Sequence, residues 1–431
     1  MAKKATTKRG SKKASGAKAG GAKAGGAKAG RASGTGGAGG AKKAAGRKKA
    51  GTKPPASRRA SRGGRSRADS NAATLDRVEE LALEVVAAAM AEQDPSMAVP
   101  SRSLSNTSYN RKQRILEMGG ATSERPLFDL KTARKFMQTM LLSAGVKDLI
   151  EADKTLSLRG MYYKSLHTIA GTKEKTLDDQ TESDAVLEDL EVMLGSLREE
   201  LHVFAKKKGT MVGNITLLDS GDEIDCRRMG TGGYSIPSIC EPNVIQFKKC
   251  EAEFILHVEK DTVWQRFNED KFWKKHNCIL TEGGGQPPRG VRRMLRRLHD
   301  ELRLPVYCLL DCDPWGHYIY SVIKQGSIAL AFESERMAIP DAKFMGIRAI
   351  DYERCELSDD VQISLNDRDI TRAKQIAEYP WFAEKKPWQL EIKKMLSNGF
   401  KMEVESLITK DISYVTETYV PERLAAEDWL D

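Results

Sequence analysis

Two short apolar runs, each ending in acid, constrain this chain more than any other feature. Phe254-Ile255-Leu256-His257-Val258 is closed by Glu259. Pro305-Val306-Tyr307-Cys308-Leu309-Leu310 is closed by Asp311-Cys312-Asp313. Runs of this length, followed by amphipathic stretches, predict buried strands of a parallel α/β sheet. Open α/β sheets bind ligands at the carboxyl ends of their strands. If these two strands are neighbours, Glu259, Asp311 and Asp313 meet there. Three carboxylates without a cationic partner repel one another unless a cation joins them. Carboxylate oxygens with water and phosphate are what Mg²⁺ prefers. A D-x-D after a strand is also a common loop with a helix cap; the acid after the other strand favours the metal.

The chain has 431 residues, enough for two or three domains. Its formal charge of +10 is unevenly spread. Residues 1–68 hold 21 of the 70 Lys and Arg and no Asp or Glu; the rest carries 49 basic residues against 60 acidic ones, net −11. Residues 1–69 are low-complexity, dominated by Ala, Gly, Lys, Arg and Ser, with a G-A-K-A-G unit around Lys18, Lys23 and Lys28. With nothing to bury, this tail is expected to be disordered. It would touch DNA phosphates without reading sequence, or serve as a spacer. Seven scattered cysteines without a C-x-x-C pair fit a reducing cytoplasm and argue against disulfides or zinc. No apolar run approaches the roughly 18–20 residues that span a membrane. The N-terminal stretch lacks the apolar core of a secretory signal.

Beyond the tail, Thr74–Gln93 and Thr132–Ser143 read as helices, and a longer one as running from about Ser183 to Phe204. Lys206-Lys207-Lys208-Gly209 then leads into β-rich pieces around Met211–Leu217 and Ile224–Met229. Helices, a basic turn and a short hairpin suggest a winged-helix DNA-binding domain. Within it lies Ser157-Leu158-Arg159-Gly160-Met161-Tyr162-Tyr163-Lys164. Arg159 and Tyr163, four apart, share one face of a helix. A Tyr hydroxyl can attack a phosphodiester, and an Arg beside it can bind the phosphate. The alternative is that Tyr162 and Tyr163 are core aromatics.

The order strand-Glu259, helix, strand, Gly-rich turn, helix, strand-Asp311-x-Asp313 resembles the Toprim domain of topoisomerases, primases and related nucleases. With R-x-x-Y-Y ahead of it, the chain from about residue 75 to 431 resembles the A subunit of DNA topoisomerase VI and its relative, the meiotic double-strand-break transesterase. The fold class implied is α/β: a basic tail (1–69), a CAP-like winged-helix domain (70–237) and a Toprim domain (238–431). Gly232–Pro237 resembles the linker between the domains. The resemblance places Tyr163 on the nucleophile, Arg159 on the motif arginine, and Glu259, Asp311 and Asp313 on the Mg²⁺ acids. DNA contact is expected from Lys164 and from the helix bearing Arg289, Arg292, Arg293 and Arg296, whose other reading is a face paired with Asp300 and Glu301. There are departures. The family's G-K-G-Y-P turn is Gly283-Gly284-Gly285-Gln286-Pro287 here, without its Lys, and Gly160 stands where an acid is common.

The function implied is the catalytic subunit of an ATP-dependent type II DNA topoisomerase. It would cut duplex DNA through a 5′-phosphotyrosine link, pass a second duplex and reseal. A transesterase that cuts without resealing is the near alternative. A Toprim nuclease or primase with a structural Tyr163 is a more distant one, and a non-catalytic nucleoid protein a third. No G-x-x-x-x-G-K-[ST] phosphate loop is present. The resemblance therefore implies ATP on a separate GHKL-type B subunit, docked near Leu75–Met90, in an A₂B₂ assembly built on an A homodimer. The expected location is the cytoplasm, at the nucleoid.

Overall fold

The computed structural model describes residues 67–431. The expected disordered tail lies outside the described residues, except that Arg67–Asp69 open the first helix.

Four helices build the first module: α1 (Arg67–Met90), α2 (Ala133–Glu151), α3 (Leu158–Ser165) and α4 (Gln180–Leu194). They close over Val78, Leu142, Val146, Met161, Leu187 and Leu190. The periodicity of Leu75, Val78 and Leu81 is the stripe that α1 turns to this core. Asp179 caps α4 by accepting from the Glu182 N–H at 3.1 Å. The helix stops well before Phe204, where the apolar periodicity alone would carry it. Gly195 takes a left-handed conformation (φ 56°), and its N–H closes the last turn on the Glu191 and Val192 carbonyls.

The strands that follow are β1 (Thr210–Gly213), β2 (Ile215–Asp219), β3 (Asp222–Asp225), β4 (Tyr234–Ser235), β5 (Ile245–Cys250), β6 (Phe254–Val258), β7 (Cys278–Glu282), β8 (Val306–Leu309) and β9 (Lys343–Phe344). Interleaved with the later ones are α5 (Asp261–Glu269), α6 (Arg289–Leu302) and α7 (Pro314–Gln325). One sheet has the order β4-β1-β7-β6-β8-β9. The two runs read from sequence, β6 and β8, are parallel neighbours, with Val258 opposite Leu309. Ile255, Leu256, Val306, Cys308 and Leu309 are fully buried in it. Each such aliphatic side chain contributes about 1.5–3 kcal/mol.

The β-rich pieces expected to form a winged-helix hairpin divide differently. Met211 and Val212 of β1 are buried, and β1 joins the α/β sheet antiparallel to β7. β2 pairs instead with β3 and β5 in a three-stranded antiparallel sheet. Strands from both sides of residue 237 thus share the larger sheet. All seven cysteines are free. No helix of the described residues is long and apolar enough to cross a membrane.

Candidate active site

Two groups of residues carry chemistry. The first is on α3. Ser157 caps this helix, its side chain accepting from the Gly160 N–H at 3.0 Å. That bond holds the first turn despite the roughly 1 kcal/mol that Gly costs inside a helix. Met161 packs into the core while Tyr163, two residues on, points outward and is 56% exposed. A core role for Tyr163 does not fit that exposure. Arg159 Nη2 donates to the Tyr163 hydroxyl at 3.3 Å, and its guanidinium lies 5.6 Å from the ring centroid. Tyr162 is half-buried, its ring 5.1 Å from that of Tyr163. Lys164 pairs with Asp148 at 2.7 Å.

The second group stands at the carboxyl ends of β6 and β8. The Asp311 N–H donates to Glu259 Oε2 at 3.1 Å, so these two acids adjoin. Asp313 is turned aside to cap α7, accepting from the Gly316 N–H at 2.5 Å. Burial raises the pKa of all three carboxyls, and for Glu259 the charge of Asp311 adds to it. They do have a cationic partner, which corrects the expectation of unpaired acids. Lys260 Nζ lies 2.9 Å from Asp311, 3.0 Å from Glu403 and 3.1 Å from Glu405. The Cys312–Met402 backbone bridge brings the Glu403–Glu405 segment here, and the Val404 N–H donates to Asp311 Oδ1 at 2.8 Å. Three carboxylates, of Asp311, Glu403 and Glu405, thus meet one ammonium, with Glu259 against Asp311. The Gly283–Pro287 turn abuts them, the Gly285 N–H donating to the Glu259 carbonyl at 2.8 Å.

This donor set of hard oxygens, in excess over Lys260, is of the kind that a hard divalent ion takes. Among the described residues, however, no three acid, His or Cys side chains stand close enough to share one. Lys260, Glu403 and Glu405 are site residues that the sequence reading missed. Lys260 directly follows Glu259. Glu403 is the extended residue before a 3-10 turn (Val404–Thr409) and Glu405 lies in its first turn, a placement that no local sequence pattern marks.

The arginines of α6 are largely committed within the fold. Arg289 pairs with Glu191 and Glu333, Arg293 with Glu241 at 2.8 Å, Arg296 with Asp300 at 2.6 Å and Arg297 with Glu301 at 2.6 Å. Arg292 alone among them has no carboxylate of its own among the described residues. No hydrogen bond or ion pair of the described residues joins Tyr163 or Arg159 to Glu259, Asp311 or Asp313.

Comparison with known proteins decides what this arrangement belongs to. Residues 254–424 match the Toprim domain of the topoisomerase 6 A-subunit and Spo11 family. Residues 134–203 match the family "Type IIB DNA topoisomerase". Residues 207–251 match the all-beta domain of the DNA topoisomerase VI alpha chain. A Hyperthermus butylicus protein, named as the A subunit of type 2 DNA topoisomerase 6, is 40% identical over 364 residues, covering 81% of this chain and 93% of that protein. The chain belongs to the family of topoisomerase VI A subunits. An Aeropyrum pernix protein of the same name is 40% identical over 78% of this chain and 90% of its own. An Arabidopsis thaliana protein, named as the A subunit of DNA topoisomerase 6, is 33% identical over 82% of this chain and 80% of its own. The protein is thus the A subunit of a type II DNA topoisomerase, with a Toprim domain. The all-beta match spans β1 to β5, of which the sequence reading had assigned the pieces around Met211–Leu217 and Ile224–Met229 to a wing.

Proposed function

We propose that Tyr163 is the nucleophile of this topoisomerase. The observation that carries the reading is an exposed tyrosine hydroxyl, held by a capped helix and hydrogen-bonded to Arg159. The Tyr163 oxygen attacks a backbone phosphorus and the bond to the 3′ oxygen breaks. A 5′-phosphotyrosine link forms, and the 3′ oxygen leaves with a proton. Arg159 neutralises charge on the phosphate as it builds. The reverse attack reseals the strand after a second duplex has passed. Residues 70–237 would present the duplex in winged-helix fashion, with Lys164 beside Tyr163 on phosphate, and residues 238–431 would supply the acids.

Mg²⁺ would be held by Glu259 and Asp311, with Asp313 freed from its capping bond to join them. It would neutralise and orient the phosphates. A duplex needs two cuts, so two copies would pair about a two-fold axis. Among the described residues no polar contact joins α3 to the acids within one chain, which favours Tyr163 of one copy facing the acids of the other. ATP would be bound by a GHKL-type B subunit in an A₂B₂ assembly. Its docking on α1 is supported by Leu83, Val86 and Met90, which leave an exposed apolar stripe on this helix.

The test is to denature a cleavage reaction of the protein and its ATPase partner in detergent. DNA should remain covalently attached, with the adduct peptide containing Tyr163. Cut DNA free of protein would favour the nuclease reading, in which water attacks. A second test concerns the tail. Deleting residues 1–68 should flatten the dependence of log affinity on log salt by about 0.9 for each phosphate that the tail no longer neutralises. An unaltered slope would mean that the tail does not touch DNA.

A further inference from the structure

A basic centre lies in a cavity of about 390 Å³ between the Val203–Lys208 segment, the Pro237–Glu241 segment and the start of α6. Seven basic side chains line it against two acidic ones. Most of these bases are already paired: Arg198 with Glu191, Arg289 with Glu191 and Glu333, Arg293 with Glu241, and Arg336 with Glu199 and Glu333. Three are not. Arg292 is only 4% exposed, has no ion pair among the described residues, and its Nε has no hydrogen-bond partner. Glu333 is the acid that acts most on its charge, but that carboxylate already serves Arg289 and Arg336. Lys206 and Lys208 stand exposed on the rim, and among the described residues Lys208 Nζ donates only to the Gly284 carbonyl, at 2.7 Å.

The backbone adds to this. α6 is a 14-residue helix whose N-cap is Pro288, and no side chain caps its first N–H groups. A helix start with free N–H groups attracts anions. A buried guanidinium without a partner is costly, and a planar fork of donors matches two oxygens of a phosphate. Lys208 also lies against the glycine turn, which has no lysine of its own. Gly284 takes a left-handed conformation (φ 60°), and Lys208 Cε lies 2.7 Å from where a Cβ would stand there.

We propose that this cavity is a phosphate-binding site, with Arg292 at its floor, the first N–H groups of α6 beside it and Lys206 and Lys208 as its rim. The ligand is a phosphate oxyanion, either free, as in a nucleotide, or carried by a DNA backbone. The cavity has room for a phosphate with attached groups.

The probe is inorganic phosphate, added to the full-length protein, with sodium chloride of equal ionic strength as control. Phosphate should raise the unfolding temperature progressively and chloride should not. Arg292→Gln should abolish the shift. Lys206→Ala with Lys208→Ala should raise the phosphate Kd about tenfold or more; both residues are exposed, so this variant carries the test if Arg292→Gln fails to fold. DNA affinity separates the two sources. If the site takes backbone phosphate, saturating phosphate and the double Lys variant both weaken duplex binding. If it takes a free phosphate, neither alters it. The proposal is overturned if phosphate stabilises no more than chloride, or if its effect survives unchanged in the variants.

Discussion

Replacing Tyr163 with Phe should abolish covalent capture of DNA while duplex binding and folding persist. The substitution removes one oxygen from an exposed ring. Among the described residues, the 3.3 Å bond from Arg159 is the one hydrogen bond that this oxygen makes. Exposed changes of this kind usually shift stability by no more than about 0.5 kcal/mol. The chemical loss is complete, because no other atom on that face of α3 can form the ester. Detergent-trapped adduct should fall below detection, and a filter or gel-shift measurement should give wild-type affinity. If the Phe variant still forms an adduct, Tyr162, whose ring lies 5.1 Å away, becomes the candidate.

The second large effect is expected at Asp311, and the choice of substitution matters. Asp311 Oδ1 accepts from the Val404 N–H and Oδ2 meets Lys260. Ala would leave the buried Val404 N–H without a partner, at about 1–3 kcal/mol. Asn keeps an acceptor for the Val404 N–H, while its amide nitrogen replaces the oxygen that meets Lys260, so the charge and that ion pair are removed and Lys260 keeps Glu403 and Glu405. Asp311→Asn should therefore fold and still bind DNA, yet cut poorly. The Mg²⁺ needed for half-maximal cleavage should rise by more than the ~10-fold that losing an outer-shell partner of a metal costs. Asp311→Ala should show the same catalytic loss on a less stable protein. A Mg²⁺ titration unchanged in the Asn variant would remove Asp311 from the metal site.

What could be read from the sequence was what short-range pattern encodes. The runs ending in Glu259 and Asp311 are short, densely apolar and bounded by acid, and they are indeed adjacent parallel strands. Arg159 and Tyr163 are four apart on one helix, and their contact follows from that spacing. The misreadings came where tertiary contacts or a single backbone angle decide. Gly195 ends a helix whose apolar pattern continues. Met211 and Val212 pair with a strand far along the chain, at Leu280 and Thr281, which no local signal reveals. Glu403 and Glu405 reach Lys260 through one backbone bridge at Met402. Lys208, from another segment altogether, reaches the glycine turn at the Gly284 carbonyl.

The central claim is that a cleavage site combines Tyr163 of one protomer with the acids of the other. The direct measurement mixes Tyr163→Phe protein with Asp311→Asn protein, each differently tagged, and purifies the heterodimer with its ATPase partner. In the proposed arrangement one site joins an intact Tyr163 to intact acids, and the other lacks both. The heterodimer should then nick a single strand of a duplex and carry one covalent link, on the Asp311→Asn protomer. If tyrosine and acids of one chain work together, each protomer lacks one component. A heterodimer that binds DNA but never nicks it would contradict the account.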